Sequence, residues 1–376
     1  MGERTVISDG EVLRELLAEG VSPWLDGLCR SLLAPERLTA LVREAGVRGA
    51  TSNPRALAAD MARGTAYRQQ LSHLACRSVP LDTSVQALCA YDLRSACDEL
   101  RPVFDSTRGR DGHVSMDLDP HLAHDARATV VAAVALNRAA CRPNALVRIP
   151  ATDEGITAVG DCLARGIGVH VTEIFSVRRY EQVVDAYFDG LERALAAGRD
   201  PAAISSLASL PVARLDAEID ARLRALGPGA VPAAPGTAAV AVARLVYRLY
   251  EERLGSERWR ILAAAHAHPQ RLMWEVSTPA DPAPGVPYVA GLVAWGTVSA
   301  MSEATLEAVA RGCRLQGDTL TGQAEAARAV VAGLERRGVS LEEVAKKLEA
   351  DGVDRLVSSW RALRGAVEDR LRRPRG

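Results

Sequence analysis

The stretch Asn144-Ala145-Leu146-Val147-Arg148-Ile149-Pro150-Ala151-Thr152 decides how the rest of the chain is interpreted. It predicts a short apolar β-strand that contains one cation and ends at a proline. An unpaired charge buried among apolar side chains costs several kcal/mol, so Arg148 needs a polar environment. In a barrel of parallel strands, that environment is the mouth formed by the carboxyl ends of the strands. Arg148 stands two residues before Pro150, where its side chain is expected to enter such a mouth.

Composition favours a soluble globular protein. The chain has 376 residues, 48% of them hydrophobic, and a net charge of −1, so no strong field directs it to nucleic acid or to a membrane surface. No apolar run approaches the roughly 20 residues of a membrane span, and the N-terminus lacks the apolar core of a secretory signal. Seven scattered cysteines without a Cys-x-x-Cys pair are typical of reduced thiols. We therefore expect a cytoplasmic protein.

The basic residues are almost all arginines. Of the 46 lysines and arginines, only Lys346 and Lys347 are lysines, and both lie on a charged face of a predicted C-terminal helix. Chemistry that requires a buried amine therefore has almost no candidate residue.

Eight strand patterns alternate with helical patterns along the chain. The strands are expected near residues 24, 49, 115, 147, 170, 207, 274 and 290, the last being Tyr288–Val293. This alternation predicts an α/β fold, a (β/α)8 TIM-type barrel, and no Gly-x-Gly-x-x-Gly follows the first strand to indicate a dinucleotide-binding fold. We expect one domain over residues 1–376, with a flexible connection at 227–236. Its C-terminal helical extension, at about 320–372, includes separate helices over 340–350 and 352–372.

Short motifs at the predicted strand ends resemble the transaldolase family in its actinobacterial form. They occur in order, within a resemblance that runs from about residue 20 to residue 365. They include Trp24-Leu25-Asp26, Thr51-Ser52-Asn53-Pro54, Ser115-Met116-Asp117-Leu118-Asp119-Pro120, Ile149-Pro150-Ala151-Thr152 and Val171-Thr172-Glu173-Ile174-Phe175-Ser176. The resemblance implies a transaldolase-like barrel that works without a cofactor.

The resemblance also implies a role for the fourth strand. Family transaldolases hold a ketose as a Schiff base on a lysine at the end of that strand, and the corresponding residue here is Arg148. A guanidinium group keeps its proton and has no free lone pair, so it cannot form this imine. The family's proton-transfer groups correspond to Asp26, Asp117, Asn53 and Thr172.

The family's phosphate-binding serine and arginine correspond to Ser209 and Arg214. The second phosphate-binding cation, expected just after the seventh strand, is missing. The eighth strand is predicted to end at Trp295-Gly296, where the family has a proline and an asparagine.

Several of these residues have structural alternatives. His170 replaces a family asparagine and is either a proton shuttle or a hydrogen-bonded core histidine. Glu173 replaces an apolar residue, and strand alternation directs it outward unless the strand bends at its end. Asn53 alternatively serves only in the turn that closes the second strand. Arg214 is alternatively an exposed cation at the start of a helix. His170, Asp117 and Glu173 could be considered as a metal site, but only one of the three is a histidine, so no metal site is expected.

The missing lysine leads to three functional hypotheses. The first is an enzyme that has lost Schiff-base chemistry: a lyase, cyclase or isomerase using acid–base catalysis on a small polyfunctional or sugar-derived metabolite, in bacterial specialised metabolism. The second is a non-catalytic ligand-binding or scaffold barrel. The third is a transaldolase of the pentose phosphate pathway.

The first hypothesis assigns roles to nine residues. The catalytic set is Asp26, Asp117, Arg148, His170 and Thr172, and the substrate-binding set is Asn53, Glu173, Ser209 and Arg214. The expected partner is a small molecule, with an anionic group as one option for the ligand of Arg148. Neither nucleic acid nor a membrane is expected as a partner, and the chain is expected to be a monomer or a homodimer.

Overall fold

The computed structural model describes residues 10–34, 37–227, 237–277 and 285–372. Within them, eight parallel strands pair in chain order and the last closes on the first, which confirms the predicted (β/α)8 barrel. The predicted flexible connection, apart from Gly227, lies outside the described residues. The strands are β1 Ser22–Leu28, β2 Gly49–Ser52, β3 Val114–Asp117, β4 Ala145–Pro150, β5 Val169–Thr172, β6 Ser206–Leu210, β7 Arg271–Glu275 and β8 Val298–Met301.

Helices connect the strands and cover the outside of the barrel. In the part of the chain that the structure describes, none of them is long and apolar enough to cross a membrane. They are α1 Glu11–Ala18, α2 Arg37–Glu44, α3 Pro54–Arg63, α4 Arg68–Cys76, α5 Leu81–Ser106, α6 Ala126–Ala140, α7 Asp153–Ala164, α8 Val177–Ala196, α9 Val212–Ala225, α10 Thr237–Leu254, α11 Glu257–Ala264, α12 Gly285–Gly291, α13 Glu303–Gly312, α14 Ala324–Arg336 and α15 Leu341–Arg372.

The eighth strand lies later in the chain than predicted. Most of Tyr288–Val293 forms the end of α12, because a short apolar run is compatible with a buried helix as well as with a strand. The prediction that Trp295-Gly296 ends the strand is therefore wrong, since both residues precede β8. Trp295 is exposed there, with the guanidinium carbon of Arg110 4.6 Å from its ring centroid. It belongs to the face of the barrel opposite the mouth.

The C-terminal extension ends in one continuous helix and not in the two predicted ones. A glycine within a helix costs about 1 kcal/mol relative to alanine, and at Gly352 the packing of α15 against α3, α4, α5 and α9 offsets this cost. Gly352 is buried against Glu173, and a Cβ atom there would lie 2.1 Å from Oε2 of Glu173. The glycine therefore permits close packing and does not break the helix.

The side chains inside the barrel change from apolar to polar toward the mouth. An apolar layer fills the lower part and consists of Trp24, Leu146, Leu207, Met273, Val298 and Ala300. Because side chains alternate between the two faces of a strand, the residue two positions later also faces inward. On β1, β4, β6 and β7 those residues are Asp26, Arg148, Ser209 and Glu275. The fold thus places a charged layer directly above an apolar one.

The size of Trp24 requires a glycine on the neighbouring strand. Trp24 pairs with Gly49 in the barrel, and a Cβ atom at position 49 would lie 2.2 Å from the indole ring. The indole is fully buried in the apolar layer, so the ring has little room to move.

We expect Gly49→Ala to lower the free energy of unfolding by about 1–3 kcal/mol, because the added methyl group overpacks the barrel. Urea denaturation followed by circular dichroism measures the change. Gly365→Ala is the matched control, since it lies within α15 with no atom within 4 Å of the added Cβ, and it should leave stability unchanged or slightly increased. Equal stability of Gly49→Ala and wild type would contradict the packing described here.

Candidate active site

Helix caps fix the positions of the strand ends at the mouth. Asn53 precedes α3, and its Oδ1 accepts a hydrogen bond from the backbone N of Arg55 at 3.0 Å, with Pro54 in the first helical position. Thr152 caps α7 in the same way, accepting from the backbone N of Gly155 at 2.9 Å. The helices therefore begin directly after the strands, which limits the mobility of the mouth. The Oδ1 atom of Asn53 has the structural role that the sequence left as an alternative.

Arg148 lies at the centre of a charged group. Its Nη1 donates to the carbonyl oxygen of Ser52 at 2.6 Å and lies 3.5 Å from Oδ2 of Asp117. Its Nη2 donates to Oε1 of Glu275 at 3.2 Å. Burial, the largest single influence, lowers the pKa of Arg148, but the carboxylates of Asp117, Glu275 and Asp26 together raise it. The guanidinium is therefore a permanent cation.

Asp117 is held by Ser52 as well as by Arg148. The Ser52 hydroxyl donates to Oδ2 of Asp117 at 2.7 Å, and its oxygen accepts from the Asp117 backbone N at 3.0 Å. Burial raises the pKa of Asp117, although Arg148 and the hydrogen bond from Ser52 act in the opposite direction. Arg148 and Asp117 thus form a buried ion pair.

Glu275 is a member of the site that sequence reasoning missed. Besides Arg148, its Oε1 accepts a hydrogen bond from the hydroxyl of Ser209 at 2.8 Å. The signal was present in the sequence, since Glu275 follows the inward-facing Met273 by two residues on β7. Ser209, expected to bind phosphate, is engaged with a carboxylate of the chain itself.

Asp26 is the carboxyl group of the site whose pKa is raised to near neutral pH. Burial, followed by repulsion from Glu275, raises the pKa of Asp26 from 3.8 to about 7, against the attraction of Arg148. Arg148 makes its direct ion pairs with Asp117 and Glu275 and acts on Asp26 electrostatically. Asp26 can therefore take up or release a proton near neutral pH.

His170 corresponds to the core-histidine alternative. It is fully buried, and its Nδ1 forms a hydrogen bond of 2.9 Å with the hydroxyl of Ser115, which also donates to Thr51. Its Nε2 has no hydrogen-bond partner among the described residues. Burial, followed by the charge of Arg148, holds the pKa of His170 well below its ordinary value, so the ring is neutral. It takes no direct part in the charged group around Arg148.

A cavity brings together three of the predicted residues. Asp117, Arg148 and Thr172 line it, and Leu356 of α15 covers one side. The C-terminal extension is therefore part of the mouth. Within the described ranges, no group of three or more His, Cys, Asp or Glu residues is placed to hold a metal ion.

Glu173 forms a second charged group beside the first. Strand alternation alone would direct it outward, but its backbone is left-handed, with φ of +61°, so the chain bends at the end of the strand, which is the exception that the sequence left open. Its Oε2 accepts from Nη1 of Arg214 at 2.6 Å, and its Oε1 accepts from Nη2 of Arg355 at 3.0 Å. Arg214 also stacks on Phe175, with its guanidinium carbon 4.9 Å from the ring centroid. Arg214 is therefore an engaged side chain and not an exposed helix-start cation.

Arg355 was not predicted, because nothing in its local sequence distinguishes it from other helix arginines. Arg355 acts electrostatically on Asp26, and Glu173 acts on Arg148, so the two charged groups are coupled. We call the seven residues together the mouth cluster: Asp26, Asp117, Arg148, Glu173, Arg214, Glu275 and Arg355.

Comparisons with known proteins identify close relatives. A family model described as transaldolase/fructose-6-phosphate aldolase matches residues 23–367. The chain is 46% identical over 368 residues to a transaldolase of Acidothermus cellulolyticus, covering 97% of this chain and 99% of that protein. It is also 46% identical over 369 residues to transaldolase 1 of Streptomyces avermitilis, with 98% of each chain covered. A transaldolase of Thermobifida fusca is 45% identical over 363 residues, 96% of this chain and 99% of its own.

These similarities overturn the first functional hypothesis. A lyase, cyclase or isomerase of specialised metabolism was inferred from one position, Arg148. The relatives are similar over almost the whole length, and each of these three bears the name transaldolase. The comparisons thus favour the third hypothesis, a transaldolase.

Asp26→Asn tests the raised pKa through the pH dependence of stability. Because the pKa of Asp26 rises from 3.8 to about 7, the folded chain keeps this proton to higher pH than the unfolded chain. Wild type therefore loses stability as the pH rises from about 4 to about 7, whereas the asparagine variant loses none at this site. We expect the variant to gain on the order of 2 kcal/mol relative to wild type between pH 5 and pH 8, measured by urea denaturation.

Asp98→Asn is the control for this measurement. Hydrogen bonds from Arg142 lower the pKa of Asp98, so that group titrates below pH 5 and its replacement should give a difference that does not vary over this range. The same pH dependence in wild type and Asp26→Asn would contradict the protonation behaviour assigned to Asp26.

Proposed function

We propose that this chain, which belongs to the transaldolase/fructose-6-phosphate aldolase family, catalyses the transaldolase reaction, the transfer of a dihydroxyacetone unit from a ketose to an aldose. The observation that carries the proposal is the 46% identity to a transaldolase over 97% of the chain and 99% of the relative. The position of Asp26, Asp117 and Arg148 at the carboxyl ends of the strands is where barrel enzymes place their catalytic groups.

The reaction requires a base and a site for negative charge. In the first half, the hydroxyl on C4 of the ketose loses its proton and the bond between C3 and C4 breaks. The electron pair of that bond moves toward the C2 carbonyl oxygen and gives an enediolate, while the aldose fragment leaves. In the second half, the enediolate carbon attacks an acceptor aldose, and the new hydroxyl takes back the proton.

Asp26 is the proposed base. A base works best when its pKa lies near the working pH, and the pKa of Asp26 is raised to about 7. In its ionised form it takes the proton from the C4 hydroxyl, and in its protonated form it returns the proton to the product.

Arg148 is the proposed stabiliser of the enediolate oxygen. Family transaldolases use an imine on a lysine to accept this electron pair, and a fixed guanidinium can stabilise the same charge electrostatically, typically by about 10²–10³ in rate for one well-placed donor. Its Nε is buried and has no hydrogen-bond partner among the described residues. The guanidinium therefore has more donors than its contacts with Ser52, Asp117 and Glu275 use.

Five further side chains have supporting roles in this proposal. Asp117 and Glu275 fix the orientation of Arg148 through its two terminal nitrogens. Thr172 lines the cavity beside Arg148, and we assign its hydroxyl to contact with the substrate. The amide of Asn53 is assigned to a substrate hydroxyl as well. The neutral ring of His170 forms a hydrogen bond with the hydroxyl of Ser115 and is assigned a structural role inside the barrel.

Borohydride trapping tests the assignment of Arg148. We expect no covalent adduct when wild type is reduced with borohydride in the presence of fructose or fructose 6-phosphate, because an arginine forms no imine and the two lysines are exposed and ion-paired. Arg148→Lys should give an adduct at residue 148, detected by mass spectrometry of the digested protein. An adduct on Lys346 or Lys347 of wild type that depends on the ketose and accompanies turnover would contradict the assignment.

Turnover itself tests the proposed function. With fructose or fructose 6-phosphate as donor and erythrose as acceptor, wild type should release the donor's aldose fragment and form a seven-carbon ketose, and Asp26→Asn should lower kcat by about 10²-fold or more. Asp98→Asn, which removes a carboxylate on the outer surface, should retain the wild-type rate. Absence of transfer with both donors would overturn the proposal.

A further inference from the structure

Each arginine of the mouth cluster is already paired with a carboxylate of the chain. Arg148 contacts Asp117 and Glu275, with nitrogen–oxygen distances of 3.5 and 3.2 Å. Arg214 and Arg355 share Glu173, at 2.6 and 3.0 Å. The cluster thus contains four carboxyl groups and three guanidinium groups, so it has no net positive charge to balance an added phosphate dianion, whereas the enediolate adds no net charge because Asp26 takes up a proton as it forms.

Glu173 is built into this arrangement. Its side chain is only 6% exposed, and each of its two carboxylate oxygens accepts a hydrogen bond from a different arginine. Gly352 lies directly against Oε2 of Glu173, so α15 leaves room for the carboxylate only because residue 352 has no side chain. The left-handed backbone at residue 173 directs the side chain to the mouth at an energetic cost that other residues of the strand do not have.

The sequence supplies no compensating cation directly after the seventh strand. Residues 276–287, which follow Glu275, contain Asp281 and neither lysine nor arginine. A phosphate group entering the mouth would meet the carboxylates of Glu173 and Glu275. To reach Arg214 and Arg355 it would have to displace a carboxylate that is tethered in place and acts at a high effective concentration.

We propose that Glu173 determines donor specificity, and that the donor is a ketose without a phosphate group. This inference rests on the proposed transaldolase function and narrows its substrate class. The carboxylates of the cluster suit the hydroxyl groups of an uncharged sugar, which donate hydrogen bonds to them. The donor therefore differs from the phosphorylated sugar in the family's description.

Donor preference in wild type is the first test. Steady-state kinetics with fructose and with fructose 6-phosphate, using erythrose as the common acceptor, should give a kcat/KM for fructose that equals or exceeds that for fructose 6-phosphate. Inorganic phosphate at millimolar concentration should not compete with fructose, when compared with sodium chloride at the same ionic strength. A preference of about tenfold for fructose 6-phosphate, or competitive inhibition by millimolar phosphate, overturns the inference while leaving the transaldolase function intact.

Glu173→Gln is the second test, because it removes the charge and keeps the size of the side chain. It should raise kcat/KM for fructose 6-phosphate by about tenfold or more, chiefly through a lower KM, since Arg214 and Arg355 then lack an anionic partner. Glu349→Gln is the matched control: Glu349 pairs with Arg179 at 3.0 Å outside the mouth cluster, and its replacement should change neither donor's kinetics. An unchanged ratio of the two donors in Glu173→Gln overturns the role of Glu173.

A binding measurement separates this inference from the proposed function. Inorganic phosphate should raise the thermal unfolding midpoint of Glu173→Gln by about 2 °C relative to chloride and leave that of wild type and Glu349→Gln unchanged. This result supports the inference even if neither donor is turned over. Absence of turnover with both donors instead contradicts the proposed transaldolase function. An equal shift in wild type and Glu173→Gln overturns the inference. If Glu173→Gln does not fold, the wild-type competition experiment decides.

Discussion

A guanidinium group buried at the carboxyl ends of the strands has to be neutralised within a few ångströms, and this requirement organises the mouth of the barrel. Arg148 is held by Asp117 from the preceding strand and by Glu275 from β7, on the far side of the barrel. The pKa of Asp26 is raised mainly by burial and then by repulsion from Glu275 and Asp117, whereas Arg148 lowers it. Arg148 thus holds two carboxylates in the mouth and at the same time partly offsets the effect that burial and these carboxylates have on the pKa of Asp26.

The alternation of strand residues made much of the mouth predictable from the sequence. Residues that lie outside this alternation, on a bend or on a helix, were harder to predict. Seven strands were located from their apolar patterns, and Asp26, Asp117 and Arg148 were found at their ends. Glu275 was missed although it obeys the same alternation. The orientation of the Glu173 side chain could not be predicted, because its own left-handed backbone interrupts the strand alternation. A glutamate gives no local sequence signal for that conformation. Arg355 comes from a helix almost 80 residues beyond the seventh strand, where only the folded chain shows which arginine reaches the mouth.

Similarity over the whole chain identifies the family and the fold, whereas the residues at single positions determine the chemistry of the mouth. The barrel, its closure and the order of the strand-end motifs belong to the transaldolase family. The charge distribution in the mouth is a property of a few side chains, and it depends on which of them share hydrogen bonds. Ser209 and Arg214 illustrate the point, because each keeps the residue type expected at its position while its polar group is engaged by a glutamate.

The contribution of α15 to the mouth has a consequence for the order in which the protein is made. Gly352, Arg355 and Leu356 are synthesised after all eight strands, so the contacts that α15 makes with Glu173 can form only after the sequence of the barrel has been made. Without α15, Glu173 would keep Arg214 as its ion-pair partner and would lack Arg355. The last helix therefore completes the charge pairing of the mouth.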